Sequence, residues 1–411
     1  MTTGTHPAEP SSAGMSEREF IAFMALMSAM AALSIDMLLP GFGAMRETFG
    51  LAEDSTNLAA TITLFIAGQA VAMPVYGPLT DALGRKRVLY IGLGLYALGA
   101  LGAALAPSLG LLYASRVVWG IGSAGPRTLS QAIVRDRFAG ERMARVMAFV
   151  QTAFFMGPIV APLVGRLILE VGSWRWMMSF GVLTAAVTLA WSRRLAETLP
   201  PERRQPLGFS RTSRAFRAVL SSRITLGYAL VIMFDFGAFI SFLSSIDLVF
   251  DDVFGRKSLF VPYFSVTMAV SALAAVTTAR FIPVTGAVAI ARLAVAGLVT
   301  FSALMAVLSW TTDGTPPLWL FLVVLTAANC CHTAILPTCN SLALEPMGEI
   351  AGTAAAVVGL IGGAGGAFLA TFINRAIEGT VTPMAVGYLG YSGIAGAMVW
   401  WASTARRPSL S

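Results

Sequence analysis

The sequence predicts an all-α integral membrane protein, twelve transmembrane helices in two six-helix bundles. Three observations predict it. Of 411 residues, 56% are hydrophobic and only 12% are charged, whereas soluble domains carry about a quarter charged residues. The apolar residues recur in blocks near the ~20 residues that a helix needs to cross a bilayer. The blocks are continuously apolar rather than alternating, which speaks against a transmembrane barrel.

Residues 1–19 are polar and read as a disordered cytoplasmic tail. The next stretch, "FIAFMALMSAMAALS", imitates the apolar core of a secretory signal. Its flank "SEREF" is not net positive, however, and the run continues through Pro40 to spanning length, so it is expected to be a retained first helix. Twelve spans follow at roughly 20–40, 57–79, 88–107, 109–133, 145–169, 174–192, 224–247, 258–280, 287–309, 317–340, 351–374 and 382–402. The first six form an N-terminal bundle over 20–192 and the last six a C-terminal bundle over 224–402. Residues 193–223 form a cytoplasmic linker and 403–411 a cytoplasmic tail.

The net charge of +7 does not point to nucleic acid. The basic residues cluster in short loops between apolar blocks, without aromatic interleaving. Alternate connections hold Arg85, Lys86 and Arg87, then Arg135, Arg137, Arg142 and Arg145, then the arginine-rich linker, then Arg406 and Arg407. This bias places both termini and the linker in the cytoplasm. Six spans, a polar linker and six more is the plan of a duplicated transporter. The linker is either a solvated, topology-setting segment or a platform for a regulator or anionic lipid. Cys330, Cys331 and Cys339 share one apolar block and offer no disulfide framework.

The connection between spans two and three reads "YGPLTDALGRKR". Gly77 permits close helix approach, and Asp81 can cap or pair at a helix end. Gly84 allows a tight turn, while Arg85 to Arg87 anchor the next helix at the headgroups. The full pattern resembles the signature loop of the major facilitator superfamily, and it stands at the matching place between spans two and three. "RVVWGIGSAGPRTLSQAIVRDRF" in span four resembles the Arg-x-x-x-Gly motif of proton-driven members, with Arg116 and Gly120 matching. Together with "DMLLPGF", "MGPIVAPLVG", "SWRWM" and "NSLALEPMGEIAGTAAAVVG", these stretches resemble the Bcr/CflA subfamily of bacterial multidrug efflux transporters over nearly the whole chain.

The resemblance implies the major facilitator fold, a bacterial inner-membrane location and exchange of protons for drugs. There are departures. In span five the family's antiporter motif expects an earlier glycine and a later Gly-Gly, and Ala153 and Ala161-Pro162 stand there, leaving Gly157 and Pro158. The second-half counterpart of the signature loop, "TARFIPVTGAVAIAR", lacks its acid.

Four charged residues lie well inside spans: Asp36, Arg116, Arg127 and Asp235. An intramembrane charge costs at least about 2.5–3.5 kcal/mol on insertion scales and is functional by default. At a helical rise of about 1.5 Å per residue, Asp36 lies about 6 Å and Arg116 about 10 Å from the outer membrane face. Those depths are compatible with a pair across the cavity, either a structural salt bridge or a proton site, Asp36, tuned by Arg116. The resemblance supports a transport role for both. Arg127 follows Arg116 by three helical turns and is either a snorkelling arginine or a partner for Asp81 or Asp136. Asp235 is a second proton site, an anchor for a cationic substrate or a packing group.

Asn329, His332 and Asn340 are expected to line the C-terminal half of the cavity. His332 and Cys339 are nearly two turns apart on one helix, too far to share a metal ion unaided. The glycines Gly359 to Gly366 supply a tightly packing helix face. Asp81, meeting basic groups such as Arg135, is expected to latch the cytoplasmic side.

No Gly-x-x-x-x-Gly-Lys-Ser/Thr cradle occurs, so a primary pump is excluded and the proton gradient takes the place of a cofactor. No nucleophile–base pair suggests an enzyme. The expected function is proton-coupled export of amphipathic small molecules by a monomer embedded in lipid. A nutrient symporter and a non-transporting sensor are the alternatives.

Overall fold

The computed structural model describes residues 15–52, 55–138, 140–204 and 209–405. In chain order the helices are α1 (Glu17–Asp36), α2 (Phe42–Phe49), α3 (Ala59–Leu83), α4 (Arg85–Ala104), α5 (Leu109–Arg137), α6 (Gly140–Val171), α7 (Trp174–Ser192), α8 (Phe209–Ser221), α9 (Arg223–Leu248), α10 (Phe260–Thr285), α11 (Ala287–Thr311), α12 (Leu318–Leu344), α13 (Ala351–Ala376) and α14 (Thr382–Ser403). Among the described residues there is no strand. Leaving out the short α2 and α8, the shortest helix is α7, with 19 residues. That is about 29 Å at 1.5 Å per residue, enough for a hydrocarbon core of about 30 Å. Eight stretches are long and apolar enough to cross a bilayer by composition alone. Of the other long helices, α5 and α6 carry arginines. The last two, α7 and α14, are rich in Trp, Tyr, Gly, Ser and Thr, which score low on hydropathy while remaining compatible with lipid.

The first span differs from expectation. Its α-helix begins at Glu17, capped by Ser16, so residues 15–19 are ordered; residues 1–14 lie outside the described residues. It ends at Asp36, and the chain turns through a 3₁₀ segment, Leu39–Gly41, into α2. Pro40 is the cause, because a ring nitrogen cannot donate to the preceding turn. Asp36 is therefore the last residue of α1, facing the negative end of its helix dipole, rather than a residue a turn inside a longer span. The linker also departs from a plain loop, since α8 forms within it and packs on α13 and α9.

Close backbone approaches hold the first half together. At Gly120 a Cβ would stand 2.9 Å from the carbonyl carbon of Phe65 on α3, so any side chain there would push α3 and α5 apart. Helix α13 joins the halves. A Cβ at Gly363 would lie 2.7 Å from the Cβ of Ala70 on α3, and one at Gly362 2.6 Å from Ile232 Cγ2 on α9. The expected small-residue face of α13 is thus shared between both halves.

Candidate transport site

Buried charged residues form a cluster in each half of the helical frame. In the first, Arg116 of α5 is fully buried. Its Nη1 donates to the Ser34 carbonyl and its Nε to the Thr61 carbonyl, both at 3.0 Å. The guanidinium lies 4.6 Å from the Phe65 ring centroid and 5.0 Å from that of Trp119, a cation–π cradle. Asp36 is 2% exposed, and its Oδ1 has no hydrogen-bond partner. The expected pair with Arg116 is not formed. Arg116 is instead spent on main-chain carbonyls, one of them only two residues before Asp36, because α1 ends there and leaves late carbonyls without helical donors. Ser34 Oγ and Tyr96 Oη, 2.5 Å apart, close the cluster.

Arg127 donates to Gln69 Oε1 at 3.2 Å, and Gln69 Nε2 donates to Ser123 Oγ at 2.8 Å. A neutral amide of α3 within the bundle therefore accepts from Arg127, where an acid, Asp81 or Asp136, was the expected partner. Both acids are drawn away to Arg85.

In the second half, Asp235 of α9 meets His332 of α12. Nδ1 of His332 stands 2.6 Å from Oδ2 of Asp235, with side-chain exposures of 7% and 0%. The contact is short, yet poorly aligned for a hydrogen bond. The imidazole stacks on Phe239 at 4.0 Å between centroids and 13° between planes. Sequence reasoning marked both residues and missed their pairing, because no spacing rule relates positions on different helices. Asn329, one turn before His332, is 1% exposed with neither amide atom bonded. Asn340 lies nearer the end of α12 and is exposed.

The signature turn is a closed ionic knot. Arg85 Nη1 donates to Asp81 Oδ1 at 2.7 Å and to Thr80 Oγ1 at 2.8 Å, while its Nε donates to Asp136 Oδ2 at 2.9 Å. Gly84 turns the chain with φ 91°, a backbone that L side chains resist. Glu197, beyond α7, caps the next helix. Its carboxylate accepts from the main-chain N–H of Arg85 at 2.9 Å and of Lys86 at 3.1 Å, and a helix N-terminus favours an anion. Sequence reasoning missed Glu197, although its place after an arginine pair in the linker was visible.

The expected contact of Asp81 with Arg135 is absent. Arg135 and Arg87 are exposed, and the i,i+4 spacing delivers Asp81 to Arg85 instead. Gly77 has nothing within 4 Å of where a Cβ would stand, so its expected close approach is not made in this conformation. Gly157 is buried against Ala32 of α1; the side chain of Pro158 lies outside the described residues.

At the other end of the molecule, Arg46 of α2 reaches across to α9. Its Nη2 is 3.4 Å from Asp247 Oδ2 and its Nη1 3.7 Å from Asp251 Oδ2. Arg46 is 5% exposed. This ion pair ties the two halves together at the end remote from the signature turn.

Buried ionisable groups on facing helices of a frame of membrane-length helices mark a membrane transporter. The chain belongs to the Major Facilitator Superfamily, whose profile matches residues 24–371. It is 29% identical over 353 residues to an uncharacterized MFS-type transporter YdgK of Bacillus subtilis, covering 84% of this chain and 86% of that protein. It is 27% identical over 370 residues to a bicyclomycin resistance protein homolog of Haemophilus influenzae, covering 89% and 91%. Among solved structures, a D-xylose–proton symporter superposes with a TM-score of 0.76 at 14% identity, over 94% of this chain and 97% of that one. This last likeness concerns the fold alone. The protein is a multi-pass membrane transporter of small molecules and not an enzyme.

Proposed function

We propose that this transporter exports amphipathic drugs or related metabolites in exchange for protons, working as a monomer in a bacterial inner membrane. The division into a 20–192 bundle, a 193–223 linker and a 224–402 bundle, with both termini cytoplasmic, follows from the arginine bias. One observation carries the exchange: Asp36 is a carboxyl group buried at 2% exposure, with Oδ1 unbonded and, among the described residues, no ion pair to a cation. A buried acid without a fixed counter-charge is suited to carry a proton, because its neutral form needs no compensation. Arg116 holds the end of α1 through Ser34 and so positions Asp36.

The export direction is supported by the relative named for bicyclomycin resistance. On this orientation the Arg46 bridge seals the outer side. The loop with Gly77, Asp81, Gly84, Arg85 and Arg87 works the cytoplasmic side with Arg135 beside it, while Gly157, packed on α1, and Pro158 let α6 move against α1. Arg127, Asp235, Asn329, His332 and Asn340 supply the polar lining of the substrate path.

In everted membrane vesicles, Asp36→Asn is expected to lose proton-driven drug uptake by at least about 10-fold, as for a group acting in the exchange itself. Expression and size-exclusion profile are expected to stay normal. Full gradient-driven uptake by that variant would sink the assignment.

A further inference from the structure

Helix α8 in the linker has no part in the exchange assigned to Asp36, yet it is built with two distinct sides. The sequence "FSRTSRAFRAVLS" sets Arg211, Arg214 and Arg217 three residues apart, which at about 100° per residue gathers them on one side of a helix. Val219 stands on the opposite side and is fully buried, where α8 packs on α13 and α9. Phe216 is half-buried against the same core. Arg214 and Arg217 are exposed, and among the described residues neither enters an ion pair.

Leu220 lies between the packed side and the arginines, and it is 57% exposed. Water over that whole outer surface would suit the arginines and not the leucine. The boundary of a bilayer suits both, because acyl chains take the leucine while the arginines reach the phosphates.

The end of α8 is placed at such a boundary. Ser222 alone separates it from α9, a helix long and apolar enough to cross a membrane. Arg223, the first residue of α9, lies 5.2 Å from the Trp401 ring centroid and donates to the Trp401 carbonyl at 2.8 Å. Tryptophan beside a basic residue is the side-chain set of a membrane–water interface. Arg292 of α11 is exposed at the same end and donates to Ser403 Oγ at 2.8 Å. Against Arg214, Arg217, Arg223 and Arg292 stands Glu345, exposed after α12. The balance is positive and complements an anionic lipid surface.

We propose that α8 docks the linker on anionic phospholipid. Arg214 and Arg217 bind the headgroup phosphates, and Leu220 enters the acyl boundary beside them. A lipid fits this face better than an acidic protein does, because the leucine and the arginines sit together at the level of Trp401. The docking goes beyond the exporter reading and does not depend on it.

The test uses the full chain in phosphatidylcholine bilayer discs. A bimane fluorophore is attached at Ser221→Cys, with Cys330, Cys331 and Cys339 changed to alanine. Quenching is measured with phosphatidylglycerol or phosphatidylcholine carrying a nitroxide high on one acyl chain. A disc presents the same lipid on both sides, so the result is independent of which way the linker faces. Quenching by the phosphatidylglycerol is expected to exceed that by the phosphatidylcholine by at least about 5-fold at low salt, the weight of one arginine at an anionic surface. The excess is expected to shrink as salt is raised. Arg214→Gln with Arg217→Gln is expected to remove it, and Arg214→Lys with Arg217→Lys to keep most of it, which guards against simple misfolding. Equal quenching by the two lipids in wild type, or an excess unchanged in the glutamine pair, would overturn the proposal. So would no quenching by either lipid, an outcome that gives the arginine face to an acidic protein instead.

Discussion

Arg116 illustrates how one side chain can serve a helix it does not belong to. Its two donors satisfy the carbonyls of Ser34 on α1 and Thr61 in the first turn of α3, while Phe65 and Trp119 cover its flat faces. A lysine keeps the charge but cannot fork between two carbonyls or stack as a plane. Arg116→Lys is therefore expected to lower both transport and thermal stability, the latter by about 1–2 °C if about 1–2 kcal/mol of charge-assisted bonding is lost; a differential scanning fluorescence melt measures it. An unchanged melting temperature would show that the two bonds are dispensable.

At the scale of elements, the helices were legible and their junctions were not. Spans such as 224–247 and 287–309 stand out by length and apolarity, and the structure begins α9 at Arg223 and α11 at Ala287. Residue choice inside lipid is so constrained that pattern alone reveals a crossing. The end of α1 was misplaced because apolar residues continue past Asp36, and hydropathy does not register a change of chain direction. Asp36, Arg116 and Asp235 were found because charge in an apolar run is rare. Their true partners, carbonyls for Arg116 and His332 for Asp235, are set by packing between helices and leave no trace in spacing. The Gly84 turn and its counterpart at Gly286, with φ of 91° and 81°, show the duplication at backbone level even though the second copy has lost its acid. At Gly363, a valine would collide with Ala70 across the halves, and Gly363→Val is expected to abolish transport without preventing membrane insertion. Normal drug uptake in that variant would show that α13 and α3 can part without cost.

For the whole molecule, charge clasps the two halves at the end remote from the signature turn. Arg46 binds Asp247 and Asp251 across the halves, while the region around Gly77 is uncovered. Bridging Arg46→Cys and Asp247→Cys with a short bis-methanethiosulfonate, which forms a disulfide to each thiol, is expected to hold this state and stop turnover. Reduction should restore it, as read by drug accumulation in vesicles. Turnover that continues while the bridge is intact would mean that this end never opens.

The Glu197 cap carries a consequence for how the protein is made. The amide it binds at Arg85 lies 112 residues earlier in the chain. During synthesis the turn between α3 and α4 leaves the ribosome long before its clasp exists. It must wait, uncapped, until the seventh helix has been threaded into the bilayer. A fragment meant to reproduce the first half should therefore run past Thr198, whose hydroxyl also joins the knot through Asp136, and one cut at the last apolar residue would be released with its signature turn unfastened.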